Sequence, residues 1–140
     1  MDRDTRIIDK IIIHCSASDN PAHDSIEVVR SWHRARLFDD IGYHFFIDKR
    51  GRVKNGRPIT KVGAHCSGQN VASIGICLSG RYNFKEVQFK AAYNLIKDLM
   101  HIYSIKKGSV FPHKAFTNNK TCPNFSLDKI WAFETDDKSC

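Results

Sequence analysis

Two histidines and a cysteine stand where regular structure is expected to give way to loop. His14 closes the apolar run IIIH, and His113 and Cys122 bracket a late polar stretch as H-x8-C. Imidazole and thiolate are zinc ligands, and three protein ligands leave the fourth tetrahedral position open for water, the catalytic rather than the structural pattern. An ion held by two neutral imidazoles and one thiolate keeps a net positive charge and lowers the pKa of bound water toward about 7. Amide hydrolysis at neutral pH is chemistry of that kind. Each residue also has a plainer reading. A chain with seven histidines offers some such triple by chance. Taken alone, His14 reads first as a satisfied structural histidine, and Cys122, before Pro123, as a buried thiol in a turn.

The elements that would position these groups alternate along the whole length. Ile7–His14 is β-branched and ends against SASDNP, which marks a buried strand. Asp24 or Ser25 then caps a helix, with Glu27 placed to complete a capping box, and Ile26, Val29, Trp32 or His33, and Leu37 follow at helical spacing. Tyr43–Ile47 reads as a strand, DKRG as a tight turn and Arg52–Arg57 as the return strand of a hairpin. Ser73–Leu78 (SIGICL) is a further short apolar strand. Asn83 and Glu86 announce a second helix running to about Tyr103, with Val87, Ala91, Leu95, Leu99 and Ile102 as its apolar face. KKGSVF supplies an edge strand, Leu127–Phe133 a short closing helix, and the tail ETDDKSC is expected to fray. The expected fold is α/β: a single domain over residues 1–140, with its core at about 6–133 and a central mixed sheet flanked by helices.

Composition excludes several classes. The chain has 140 residues, 41% hydrophobic and 26% charged, which suits one globular domain with a real core. Its apolar runs fall far short of the roughly 18–20 residues of a membrane helix. MDRDTRIIDK has no apolar h-region, so no signal peptide is read and the chain is expected to be made in the cytoplasm. The net charge of +7 points to an acidic partner such as nucleic acid, anionic lipid or a cell-wall polymer. Five cysteines, odd in number and without a CxxC pair, argue for a reducing compartment and against a disulfide framework. Cys77, Cys15 and Cys66 read as buried small hydrophobes and Cys140 as a free tail thiol.

Four segments occur in order: IIIHCSAS, SWHRARLFDDIGYHFFIDKRGRV, VGAHCSGQNVASIGICLSG and PHKAFTNNKTCPNF. Together, from about Ile7 to Trp131, they resemble the zinc amidases that include the small phage N-acetylmuramoyl-L-alanine amidases and, more distantly, animal peptidoglycan recognition proteins. The resemblance implies zinc ligands at His14, His113 and Cys122, and non-ligand catalytic residues at Tyr43 and Lys120. His65, in GAHCSG, falls in the segment that lines the substrate groove of such proteins. One departure is visible: AFTNN carries one residue more than the phage-type pattern between the second histidine and the cysteine. Lys114 receives no role.

The chemistry of these residues is coherent. Lys120, tethered two residues from a ligand, can neutralise an oxyanion. Tyr43, with an ordinary pKa near 10, stays protonated and can orient water or donate to that oxyanion. His44 is read as structural because it points away from Tyr43 along a strand. His23, His33 and His101 receive no chemistry, and Trp32 and Phe38 read as core or groove rim. The resemblance therefore implies a zinc-dependent amidase that detaches stem peptides from peptidoglycan, endolysin-like, reaching the wall after release from the cytoplasm and working as a monomer. A muropeptide-binding module without catalysis is the rival, against which Cys122 argues. RNA polymerase is a conceivable second partner by family analogy. Nucleic acid is not expected, since no helix-turn-helix, RNP-type motif or zinc-finger spacing occurs.

Overall fold

The structure, a computed structural model, describes residues 6–118 and 120–134. Cys140 and most of the ETDDKSC tail lie outside the described residues. Lys10–Cys15 forms strand β1 and Ser73–Leu78 forms β4, paired in parallel with Ile11 opposite Ile74, Ile13 opposite Ile76 and His14 opposite Cys77. Both read as nearly continuous apolar runs because a central parallel strand is covered on both faces. Phe45–Ile47 (β2) lies parallel to β4 on its other side, and Val53–Asn55 (β3) returns antiparallel as the hairpin edge. Val110–Pro112 (β5) adds in parallel to β1. The sheet is thus mixed, in the order β3-β2-β4-β1-β5. The first strand begins at Lys10 instead of Ile7, which is exposed, and the hairpin strand begins at Phe45 instead of Tyr43.

The period-two pleat sorts side chains onto two unlike faces. Ile11, Ile13, Ile47, Ile74, Ile76 and Leu78 share one cluster with Phe89, Ala92, Tyr93, Ile96 and Leu99 of helix α2 (Glu86–Tyr103) and with Ile130 of α3 (Asp128–Trp131). The intervening Phe46 and Cys77 pack on the other face with Val29 of α1 (Ile26–Ala35) and with Ile41. His14 is opposite Cys77 and shares this second face.

Helix ends refine the sequence reading. Ser25 caps α1 by accepting from the Glu27 and Val28 N–H groups, while Asp24 instead accepts from the Lys49 N–H. Glu27 does not return to the cap but pairs with Arg30. Helix α2 begins at Glu86 with Lys85, not Asn83, as its cap: Gln88 accepts from the Lys85 N–H and, fully buried, donates to the carbonyls of Ser79 and Ile47. The Asn83 N–H donates to Asp19. The apolar face of α2 also differs from the expected one. Val87 and Ile102 are 51% and 65% exposed, and the stripe Phe89–Ala92–Tyr93–Ile96–Leu99 faces the sheet. Apolar residues surround much of this helix, so periodicity offers two overlapping stripes, and the sheet and α3 cover only one. Among the described residues, no helix is long and apolar enough to cross a membrane.

Candidate active site

Three elements deliver the expected ligands to one place. His14 sits near the end of β1, where the pleat turns its ring toward α1. β5 runs into a single 3-10 turn, His113–Phe116, that starts with His113. Cys122 follows the polar loop, and the Lys114 N–H donates to the Cys122 carbonyl at 2.8 Å, closing that loop so both late ligands face the same way. The Lys114 ammonium also reaches the Pro123 carbonyl, so Lys114 is a clamp on the loop. The donor atoms of His14, His113 and Cys122 all lie within 4.8 Å of one another. The loop's extra length is absorbed without separating the ligands, as surface loops allow.

The electrostatics suit a cation. Burial, then the neighbouring His65 and His113 rings, push the His14 pKa well below its ordinary value, and burial and Lys120 lower that of His113. Both rings are therefore neutral and able to ligate. The Cys15 and Cys122 sulfurs are 3.4 Å apart. Contact with Cys122 pulls the Cys15 thiol down to about 7, and the same contact, with burial, pushes Cys122 up. A coordinated thiol is deprotonated outright, which reverses that sharing. The Cys15 N–H already donates to Cys122 Sγ at 3.0 Å, a hydrogen bond that favours a thiolate there. Two neutral imidazoles and a supported thiolate fit zinc.

Tyr43 and Lys120 both arrive at this cluster. The Tyr43 ring lies 5.0 Å from that of His14. Burial raises the Tyr43 pKa well above 10, and its hydroxyl is within hydrogen-bonding reach of the Cys77 sulfur. The phenol is thus a proton-bearing donor. Lys120 is exposed on the groove wall, close enough for its charge to depress His113. A groove with two lobes, of about 710 and 490 Å³, opens over the cluster; Tyr43, His113, Lys120, His33 and Arg36 line both. Trp32 lines the smaller lobe and Phe38 the larger, which agrees with a rim position.

His65 lies on the floor of the larger lobe, 9% exposed, with Nδ1 2.8 Å from His14 Nε2 and Nε2 3.1 Å from Ser73 Oγ. His44 is structural, as expected: Nδ1 accepts from the Gly75 N–H and Nε2 bonds the Lys61 carbonyl. His33 had been given no role, yet it belongs to the groove. Its Nδ1 accepts from the Gly42 N–H at 2.8 Å, its ring stands 5.3 Å from Tyr43, and it is buried. A histidine on the stripe Ile26–Val29–His33 was the available signal, since an imidazole on a buried helix face needs a partner. His23 instead bonds Ser18 and packs edge-on against Trp32.

Comparison with known proteins identifies the family and the fold. Residues 4–125 match the N-acetylmuramoyl-L-alanine amidase family. The endolysin of Escherichia phage T7 is 34% identical over 131 residues, covering 88% of this chain and 85% of the relative. Among solved structures, the N-acetylmuramoyl-L-alanine amidase LysC from Clostridium intestinale superposes with a TM-score of 0.83 at 28% identity, covering 94% of this chain and 88% of its own. Drosophila PGRP-LB gives 0.73 at 25% identity over 94% and 82% of the respective chains. A match of the family model to residues 4–125 and a relative 34% identical over most of both chains, on a sheet that carries a His/His/Cys cluster beside a groove, leave one assignment: this chain belongs to the N-acetylmuramoyl-L-alanine amidase family.

Proposed function

We propose that this peptidoglycan amidase cleaves the bond between the lactyl group of N-acetylmuramic acid and L-alanine with one zinc ion held by His14, His113 and Cys122. The observation that carries the reading is the convergence of those three side chains, from three separate segments, to within 4.8 Å of one another, with His113 and Cys122 lining the groove and His14 buried beside them. Zinc bound there supplies a Lewis acid that acidifies water and polarises the scissile carbonyl. Lys120 sets an ammonium beside His113, where it stabilises negative charge developing on the carbonyl oxygen. Tyr43, held protonated, offers a hydrogen bond at the same centre. Both nitrogens of His65 are engaged within the protein, so its contact with substrate is one of packing.

Charge supports the substrate class. Arg36, Arg81 and Lys120 line the groove, and no aspartate or glutamate among the described residues lines either lobe. Stem peptides carry free carboxylates, and a positive cleft on a +7 chain attracts them over a distance set by ionic strength. The biological setting that fits is endolysin-like: action on the wall after release from the cytoplasm in which the enzyme is made.

Zinc content and release of free stem peptides from purified peptidoglycan, with and without a chelator, test the reading on one sample. One zinc per chain and chelator-sensitive release are expected. Peptide release that continues after complete removal of metal would overturn the zinc mechanism. Zinc binding without cleavage of several wall types would leave recognition as the function.

A further inference from the structure

We infer that His65 is a positioning residue of the metal centre: through a hydrogen-bond chain ending at Ser73 and the Gln69 carbonyl, it fixes the tautomer and orientation of His14, so that Nδ1 is the nitrogen His14 presents to the metal. The inference rests on the zinc reading above for its meaning, but the tautomer itself is a property of the protein alone.

The chain has one consistent assignment of protons for two neutral rings. Ser73 Oγ lies 2.6 Å from the Gln69 carbonyl oxygen. A carbonyl only accepts, so the single hydroxyl proton of Ser73 is donated there. Ser73 Oγ must then accept from His65 Nε2–H at 3.1 Å. A neutral imidazole with its proton on Nε2 has its lone pair on Nδ1. That lone pair accepts from His14 Nε2–H at 2.8 Å, which leaves the lone pair of His14 on Nδ1. Metal-bound histidines commonly donate their other N–H to an acceptor that locks the ring. Here the acceptor is a second imidazole, itself locked by a buried serine.

The fold gives the His65 ring a built slot. A Cβ on Gly75 would stand 2.6 Å from His65 Cγ and 2.8 Å from its Nδ1, and one on Gly63 would stand 2.7 Å from His65 Cδ2. These two glycines belong to VGAH and SIGI, so the two words are one device: each leaves out a side chain where the imidazole passes. Asn70 Oδ1 accepts from the backbone N–H groups of both His65 and Cys66, at 2.9 Å each, and sets the loop that aims the ring. Gly75 lies on the same face of β4 as Cys77, which is opposite His14, so the slot is on the sheet face of the metal cluster.

Two readouts on the full-length protein test this. The first is the zinc dissociation constant, from competition with a chromogenic chelator. The second is the His14 tautomer in metal-free protein, from nitrogen-15 imidazole spectra. The wild type is expected to show His14 protonated on Nε2. His65→Leu should weaken zinc about 10–100-fold, as loss of such a partner typically does, and should release the tautomer. His65→Asn, whose Oδ1 can take the place of the Nδ1 lone pair, should recover most of the affinity. Gly75→Ala and Ser73→Ala should weaken zinc in the same direction with all three ligands intact, and they stand in if His65→Leu does not fold. A wild-type His14 protonated on Nδ1, or unchanged zinc affinity in these variants, overturns the inference. A wild type that shows the expected tautomer but binds no zinc would refute the zinc reading and leave the chain of protons standing.

Discussion

The two faces of the sheet are made from alternate residues of the same strands and have opposite characters. Toward α2 the pleat sends Ile11, Ile13, Ile74, Ile76 and Leu78, all buried and all aliphatic. Toward α1 the same two strands send His14, Ser73, Gly75 and Cys77, joined by His65 and the Tyr43 ring. The first face supplies transfer free energy, about 1.5–3 kcal/mol for each large side chain fully buried. The second has a smaller apolar cluster of Val29, Ile41, Phe46 and Cys77, with Ile12 beside it, and it also carries the polar groups. One strand thus does both tasks, because side chains one residue apart never meet. Buried imidazoles are tolerated on the functional face only because each has a partner: His14 with His65, His44 with the Gly75 N–H, His33 with the Gly42 N–H.

Substitutions can break this division in order of effect. Cys122→Ser should abolish zinc retention and peptide release while far-UV circular dichroism stays native, since the aliphatic face does not depend on the ligand. Metal analysis of the purified variant checks it, and loss of fold along with metal would show that the two faces are not separable. Lys120→Ala should keep zinc and lose about 10²–10³ in turnover, the usual effect of removing one oxyanion-stabilising group. Tyr43→Phe should act in the same direction; full activity in either variant would remove that side chain from the mechanism. Ile76→Val, at the centre of the opposite face, should cost about 0.5–1.5 kcal/mol in denaturant unfolding and leave zinc affinity alone. The smallest effect tests the face of α2. Val87→Lys with Ile102→Lys should change stability by less than about 0.5 kcal/mol per site, because both side chains are in solvent. A loss of several kcal/mol would return the helix to the rotation its periodicity suggested.

The same contrast governs what could be read from residues alone. Strands β1 and β4 were legible because β-branched apolar runs have few other fates, and the three candidate ligands were singled out by the resemblance of the segments that contain them, since His14 and Cys122 taken alone have plainer readings. The extent of α2 was also legible, but its rotation was not: Val87, Ala91 and Leu95 form as good a stripe on paper as Phe89, Tyr93 and Ile96, and only the position of the sheet and α3 chooses between them. The cap of α2 at Lys85 was hidden for a similar reason. Gln88 serves that helix end because its amide is also fixed by the carbonyls of Ile47 in β2 and of Ser79 just past β4, 41 and nine residues away. Cys15 looked like an ordinary buried thiol, and its contact with Cys122 joins residues 107 apart.

By itself the sequence determined most of the elements and the family, and through that resemblance it nominated His14, His113, Cys122, Tyr43 and Lys120. The elements follow from local preferences, and the nominated set from four motifs that occur together in order. The tertiary structure decided which atoms of that set face one another. It brought His65 onto Nε2 of His14, put His33 into the groove, and assigned Gly63 and Gly75 to a single slot. Hydrogen bonds and close packing act over about 3–4 Å in space and carry no mark of the distance along the chain that separates the partners.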